Sequence, residues 1–588
     1  MIKLFKNFKV KNYVVIFISV VLIFMQVWLD LKMPDYMSEI TILVKTEGSK
    51  MSDILKNGGY MMVCAFGSLV SSIFVGYLIA NLSASFSLTL RKKLFDKVLS
   101  LGLNEVNNFS TSSLITRTTN DITQIEMFVG MGLQMLIKAP ITAVWAITKI
   151  LNKSYVWSTL TAVAVLILLS VVISLIIIVM PKFKIVQKLI DKLNSVTREN
   201  LNGIRVIRAF NAEGFQENKF EDVNNKLTNQ QLFNQKAFAI MSPMMYLVMN
   251  GLALSIYFVG AKMIDGALMA DKITLFGDMV VFSSYAMQVI MSFLMLAMIF
   301  MIIPRASVSA SRINEVLDTN SSIINGNLKA LRTNEVGTVE FKNVSFKYPD
   351  AEEYILNNIS FKANRGDVVA FIGSTGSGKS TLVNLVPRFY DATSGEVIID
   401  GVNIKDYDLE TLYNKISYVP QKAVLFNGTV KSNITYGKSL NSISDDDIVS
   451  ASKVAQAYEF ISKMDDKFDS HIASGGTNIS GGQKQRLSIA RAIARNPEIY
   501  IFDDSFSALD YKTDSDLRHA LKKHTKNATC LIVAQRIGTI MHADKIIVLD
   551  NGKCVGIGTH KELLKSCKVY KEIALSQLSE EELDNASE

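Results

Sequence analysis

Cysteine is scarce in this chain: Cys64, Cys530, Cys554 and Cys567 are the only four, and they show neither metal-ligand nor oxidoreductase spacing. A cysteine-built metal centre or redox pair is therefore excluded, and free thiols are expected. Basic–aromatic clusters and nucleic-acid readout motifs are also missing, so the net charge of +8 does not mark a nucleic-acid partner. No small-residue cleavage site follows the opening apolar run, which is too long for a signal peptide and is expected to stay as a membrane segment. The long apolar stretches hold no pair of acids that would serve an ion-coupled pathway; Asp265, Asp271 and Asp278 gather at the outer ends of theirs.

What is present points to a membrane half and a soluble half. The 588 residues are too many for one domain, and 49% of them are hydrophobic, more than soluble cores of this size need. A helix rising about 1.5 Å per residue needs about 20 apolar residues to cross roughly 30 Å of hydrocarbon. Six stretches qualify: Tyr13 to Leu31, Gly59 to Ala84, Met127 to Ile150, Val156 to Met180, Phe238 to Ile264 and Leu275 to Ile303. Lys3, Lys6, Lys9 and Lys11 sit just before the first, which fits a cytosolic N-terminus beside an anionic inner leaflet and makes membrane lipid a partner.

The connections alternate in length. Leu88 to Glu126 and Pro181 to Gln235 are long, polar and helically periodic, whereas the others are short. Starting from a cytosolic N-terminus, both long connections fall in the cytoplasm, where they extend the spans far beyond the bilayer.

Past the last span the pattern changes from helical to alternating. Thr338 to Phe346 reads as a half-buried strand. Strand Val368 to Ile372 then leads into Gly373-Ser374-Thr375-Gly376-Ser377-Gly378-Lys379-Ser380-Thr381 and a helix. This is the strand–turn–helix context of a phosphate loop, in which backbone N–H groups and a helix N-terminus cradle phosphate oxygens, Lys379 neutralises them and Ser380 offers its hydroxyl to Mg²⁺. A hundred residues on stands Ile479-Ser480-Gly481-Gly482-Gln483, followed by the basic helix Lys484 to Ala492.

Together these two motifs resemble the phosphate loop and signature of ATP-binding cassettes, and the chain is similar over its whole length to an exporter-type ABC half-transporter. The resemblance implies an α-helical six-span membrane domain with long cytosolic helix extensions, fused to an α/β P-loop nucleotide-binding domain. The expected division is residues 1–304 for the membrane domain, 305–335 for a connector containing the helical Ser309 to Leu317, 336–580 for the cassette and 581–588 for a polar tail. ATP and Mg²⁺ are the implied cofactors, with the cassette in the cytoplasm of a bacterial cell and the rest in its membrane. The inner loops resemble coupling helices at Phe109 to Asp121 and Gly203 to Phe210. Tyr348 would stack on adenine, Gln421 of Ile416-Ser-Tyr-Val-Pro-Gln would meet the metal and water, Asp503 at the end of Ile499 to Asp503 would hold Mg²⁺, and Asp510 closes the D-loop Ser507-Ala-Leu-Asp.

Two departures from the family bear on catalysis. The glutamate that polarises the attacking water is replaced by Asp504, one methylene shorter, when a base must reach within roughly 2.6–3.2 Å. The switch histidine is replaced by Gln535, which donates a hydrogen bond but cannot carry a proton as imidazole does. The signature Ser480, Gly481, Gly482 and Gln483 is intact and would serve the site of a facing cassette. The resemblance is therefore closest to the degenerate-site subunit of bacterial heterodimeric multidrug exporters, with a second half-transporter as partner; a slow homodimer and an ATP-gated regulatory subunit stay open. No cysteine-protease module that would mark a peptide-processing exporter precedes the first span.

Methionines Met287, Met291, Met295 and Met298 recur at helical spacing in the sixth stretch, as do Met241, Met245 and Met249 in the fifth. Methionine adapts to varied apolar shapes. Met287, Gln288, Met291 and Met295 are thus candidates for a cavity that takes a small amphipathic substrate, and packing between helices is the alternative role.

Overall fold

The computed structural model describes residues 2–6, 8–46, 48–151, 154–329, 335–349, 351–438 and 442–578. The expected tail 581–588 and residues 330–334 of the expected connector lie outside them. Contacts divide the chain into two units, Met1–Leu99 with Ser112–Asp318, and Ser100–Thr111 with Thr319–Glu588.

The first unit holds six spans, each enclosing one of the six apolar stretches: α1 (Val10–Lys45), α2 (Met51–Ser100), a composite third span ending in α3 (Leu133–Leu151), α4 (Tyr155–Asn202), α5 (Glu213–Asp265) and α6 (Met269–Asp318). At 1.5 Å per residue α4 runs roughly 70 Å, more than twice a hydrocarbon core. Large apolar side chains such as Phe66, Ile177 and Leu254 lie exposed on the outer faces of these helices, as lipid contact requires. Helix α6 is the most enclosed, with 44% of its apolar window buried against 17–28% for the others. Phe282, Tyr285 and Ile290 of α6 pack with Ile23 and Trp157 in the centre of this unit.

Five of these helices contain an internal proline, Pro34, Pro140, Pro181, Pro243 and Pro304, each removing one backbone donor from the ladder. The third span is interrupted differently. Its segments Thr111–Thr118 and Asn120–Met127 meet α3 through a π-helical turn, Phe128–Gly132.

The boundary expected at 304/305 is corrected by α6, which passes through Pro304 and continues to Asp318, so Ser309 to Leu317 is the end of the sixth helix rather than a separate connector helix. Ala306, Ala310, Ile313 and Val316 are buried along one face of it, and that face holds the extension in place. A charged cluster completes the hold. Arg117 donates to the Arg312 carbonyl at 2.8 Å and pairs with Glu315 at 2.8 Å, while Asp121 accepts from Ser309 Oγ at 2.9 Å and faces Arg312 Nε at 3.4 Å.

The second unit contains two principal sheets. Strands β1 (Val339–Phe346), β2 (Leu356–Ala363), β4 (Ser394–Ile399) and β5 (Val402–Asn403) form an antiparallel sheet in the order β2-β1-β4-β5. Strands β3 (Val368–Gly373), β6 (Ile416–Val419), β7 (Ile499–Asp503), β8 (Thr529–Val533), β9 (Lys545–Asp550) and β10 (Lys553–Gly558) form the other in the order β10-β9-β3-β8-β7-β6. All neighbours here are parallel except β9 and β10. Parallel strands covered on both faces read as near-continuous apolar runs, and Val369 to Ile372 of β3 are fully buried. Residues from the loop between the second and third spans belong to this unit: Glu105 accepts from the Ser322 backbone at 3.2 Å, and Asn107 hydrogen-bonds Tyr390. The second inner loop carries Ile204–Ala209, inside the expected Gly203 to Phe210.

Candidate functional site

Ligands of open parallel sheets bind beyond the carboxyl ends of the strands, and there β3 turns into α7 (Lys379–Leu385). Ser374, Thr375 and Gly376 form the exposed crest of the turn, while Ser377 and Lys379 are buried beneath it. Gly378 has φ 94°, and a Cβ there would lie 2.9 Å from the Ile355 carbonyl oxygen, so both conformation and space demand glycine. The Lys379 ammonium donates to the carbonyls of Gly373 and Ser374 at 2.8 Å each, which keeps it inside the loop. Burial lowers its pKa, against the pull of Asp504 and Asp503. A half-buried Tyr348 exchanges a 3.1 Å hydrogen bond with Thr381 Oγ1 and meets Phe346 and Tyr390 edge-on.

Register in the sheet brings the distant acids to this turn. Ser380 Oγ donates to Asp503 Oδ1 at 2.8 Å, and Tyr418 OH to Oδ2 at 3.1 Å. Burial raises the Asp503 pKa; these two hydrogen bonds oppose the rise and the neighbouring Asp504 adds to it. Among the described residues no group of three His, Cys, Asp or Glu side chains stands together as a metal site. One carboxylate beside one hydroxyl suits Mg²⁺, which keeps waters and takes its remaining oxygens from phosphates. The donor set therefore fits a Mg²⁺–nucleotide, which Ser380 and Asp503 would hold. Tyr418 was not among the sequence candidates; its only signal is its place on β6, paired alongside β7.

Asp504 adopts φ 47°, is 7% exposed, and donates its N–H to the Val533 carbonyl at 3.0 Å. Its Oδ2 accepts from two amides, Gln421 Nε2 at 3.0 Å and Gln535 Nε2 at 2.7 Å. Gln421 thus lies on Asp504 rather than on Asp503. A cleft of about 10 Å³ bounded by Asp504, Ser507, Gln535 and Arg536 is near the lower limit for one water.

The signature lies elsewhere in the unit. Ser480 caps α8 (Gly481–Ala494), accepting from the Gln483 N–H at 3.3 Å while its own N–H donates to Gln483 Oε1 at 2.9 Å. With Ser480 and Gly481 exposed, this N-terminus presents free N–H groups and the positive end of a helix dipole, a ready anion site. Asp510 caps α9 (Tyr511–His524) by accepting from the Thr513 N–H at 2.9 Å.

Two family models match the chain, one described as ABC transporter over residues 356–507 and one as ABC transporter transmembrane region over 16–322. The chain belongs to the ABC transporter family. An uncharacterised ABC transporter ATP-binding protein of Mycobacterium tuberculosis is 39% identical over 521 residues, 88% of this chain and 87% of the relative. An ATP-dependent lipid A-core flippase of Pseudomonas syringae pv. tomato is 34% identical over 526 residues, 88% of this chain and 85% of that protein. A solved bacterial Atm1-family ABC exporter with ATP bound shares the fold, with a TM-score of 0.81 at 24% identity over 96% of this chain and 98% of that one. This transporter is a half-transporter whose ATPase unit is coupled to transport across the membrane, using ATP with Mg²⁺.

In the membrane unit of this transporter lies a cavity of about 220 Å³ between α1, α3 and α6. Gln288, Met291 and Met295 line it, and Met287 does not. The cavity is also bounded by Asp30 and Lys138, which sequence reading left aside and whose side chains pair at 3.8 Å. Their signal was a lone acid in the first apolar stretch and one of two lysines in the third, silent about the partnership until α1 and α3 are placed side by side.

Proposed function

We propose that this half-transporter exports amphipathic molecules as one half of a heterodimer whose partner carries the competent catalytic site. The reading rests above all on Asp504 and Gln535, which stand where the family has glutamate and histidine. Both amides, Gln421 and Gln535, donate to the shorter carboxylate. An aspartate engaged in this way is a poor base for a water, and a displacement of about 1 Å can cost on the order of 10² in rate. Two cassettes facing head to tail would place each nucleotide between one chain's phosphate loop and the other's signature. This chain then supplies a slow site of its own and an intact Ser480 signature to its partner. Tyr348 takes the adenine ring, and nucleotide held at the slow site acts as a hinge. The energy enters as the differential affinity of ATP for the closed state, since equal binding to both states shifts nothing. A relative whose name specifies a lipid cargo supports an amphipathic substrate.

The deciding experiment is the mass of the intact complex drawn from its native membrane through a tag on this chain. A one-to-one assembly with a second half-transporter bearing glutamate and histidine is the expected result. An assembly of this chain with itself would overturn the pairing and make Asp504 the working base of a slow homodimer. A heteromeric complex that hydrolyses ATP but moves no dye across vesicles would instead support a regulatory role.

The slow site also has a direct test. Asp504→Glu together with Gln535→His, introduced into complexes whose partner site has been disabled, should raise residual hydrolysis about tenfold or more, and neither change alone should match the pair, since base and proton carrier act together. Phosphate release measures it.

A further inference from the structure

Two ion pairs join α1 to α3, and they differ in how firmly they are held. Near the outer ends, Lys149 meets Asp35 at 2.8 Å, and Tyr285 OH donates both to Asp35 and to the Leu31 carbonyl. That pair is tied down from three helices. The deeper pair, Asp30 with Lys138, is stretched to 3.8 Å and borders the 220 Å³ cavity. Among the described residues Asp30 has one further partner, the Ser68 hydroxyl. Beside the pair, the Gln288 side chain makes no hydrogen bond among the described residues. The neighbouring hydroxyls are occupied, Thr142 by the Lys138 carbonyl at 2.9 Å and Ser292 by the Val289 carbonyl at 2.7 Å.

We propose that the Asp30–Lys138 pair is exchangeable and that this cavity binds the headgroup of a zwitterionic amphiphile. The inference rests on the export reading and names its substrate class. Ionisable side chains within membrane spans are costly and mark substrate pathways. A ligand with only an anionic group would satisfy Lys138 and strand Asp30, and a purely cationic one would do the reverse; either leaves an uncompensated charge in a low-dielectric site. A head carrying both charges replaces the loose pair with two new ones and leaves none over. Gln288 adds a donor and an acceptor, and Met291 and Met295 offer an adaptable apolar wall to the first part of the tail. Pockets for whole drug-sized ligands span about 300–1,000 Å³, so the volume here suits a headgroup with its tail running out between helices.

The test uses the full chain, with its co-purifying partner, in nanodiscs of phosphatidylglycerol. The probes are an alkylphosphocholine, an alkyl sulfate and an alkyltrimethylammonium of equal chain length with the same tail fluorophore, below their micelle concentrations. The zwitterion should bind at least about tenfold more tightly than either single-charge probe. Lys138→Met should erase that preference and shift it to the cation, and Asp30→Asn should shift it to the anion. The exchanged pair, Asp30→Lys with Lys138→Asp, should recover zwitterion binding, which separates loss of recognition from loss of fold. Equal binding of all three probes to the unaltered protein, or indifference to both single changes, overturns the proposal. Adding phosphatidylethanolamine to the discs tells the sources apart: competition assigns a bilayer lipid to the cavity, and its lack assigns an amphiphile from solution, both with the site standing. Binding is read without transport, so a complex that binds as described but exports nothing refutes the export reading alone. One that exports dye with binding indifferent to both changes refutes this site alone.

Discussion

Ser480→Arg in this chain should reduce ATP hydrolysis by the intact complex at least ~100-fold, whereas Lys379→Ala should leave a substantial fraction of it. The contrast follows from where each residue does its work in the proposed pair. Ser480 stands at the exposed N-terminus of α8, and an arginine there would fill the space in front of the N–H groups that a partner-held phosphate needs. Losing one preorganised donor to a developing charge costs about 10²–10³ in rate. The capping bond lost with the serine is worth only about 1 kcal/mol, so Ser480→Ala should be far milder and serves as the control for folding. Lys379 serves this chain's own slow site, and its loss should weaken nucleotide binding there while the partner's site continues to turn over. Steady-state phosphate release from purified complexes measures all three. Complete loss with Lys379→Ala would count against the hinge reading, and an unchanged rate with Ser480→Arg would refute the head-to-tail assignment.

Asp121→Ala should lower the melting temperature of the detergent-solubilised protein by roughly 4–10 °C, from a loss of about 2–3 kcal/mol. Asp121 is buried, accepts from the buried Ser309 hydroxyl and balances Arg312, so its removal leaves that hydroxyl without its partner. Arg312 is partly exposed and can turn to water, which holds the cost below the value for a fully enclosed pair. Arg117→Ala removes the donor to the Arg312 carbonyl from the same corner. The two changes should therefore cost less together than the sum of their separate effects, because each loosens the hold of the third span on the end of α6. Strict additivity in the double variant would show that the two contacts are independent.

Legibility in the sequence followed the range of the interactions. The phosphate loop, the Ile499 to Asp503 strand and the signature are local patterns, and each formed the strand, turn or cap that its residues suggest. The six spans were equally plain, since a bilayer imposes a minimum apolar length. The end of α6 was harder. Pro304 and Arg305 look like a stop, but the buried face from Ala306 to Val316 carries the helix on, and its meaning depends on what packs against it. Contacts across long separations were not legible: Tyr418 reaches Asp503, Arg117 reaches Glu315, and Asp30 reaches Lys138 only after the elements that carry them have been laid together. Gln421, expected to meet the metal and the water, donates to Asp504, a contact its sequence neighbourhood did not announce.

The π-helical turn Phe128–Gly132 gives the third span one more residue than a regular helix of the same rise would hold. One residue corresponds to about 100° of rotation, so the turn works as an angular offset between the two parts of the span. Below it, Arg117 and Asp121 face the end of α6; above it, Lys138 and Lys149 face α1. Removing the extra residue would leave both sets of charges in the chain but put them out of phase, turning one set away from its partners whenever the other was seated. The setting of these charges is thus fixed by an irregularity in the backbone as much as by the identity of the side chains.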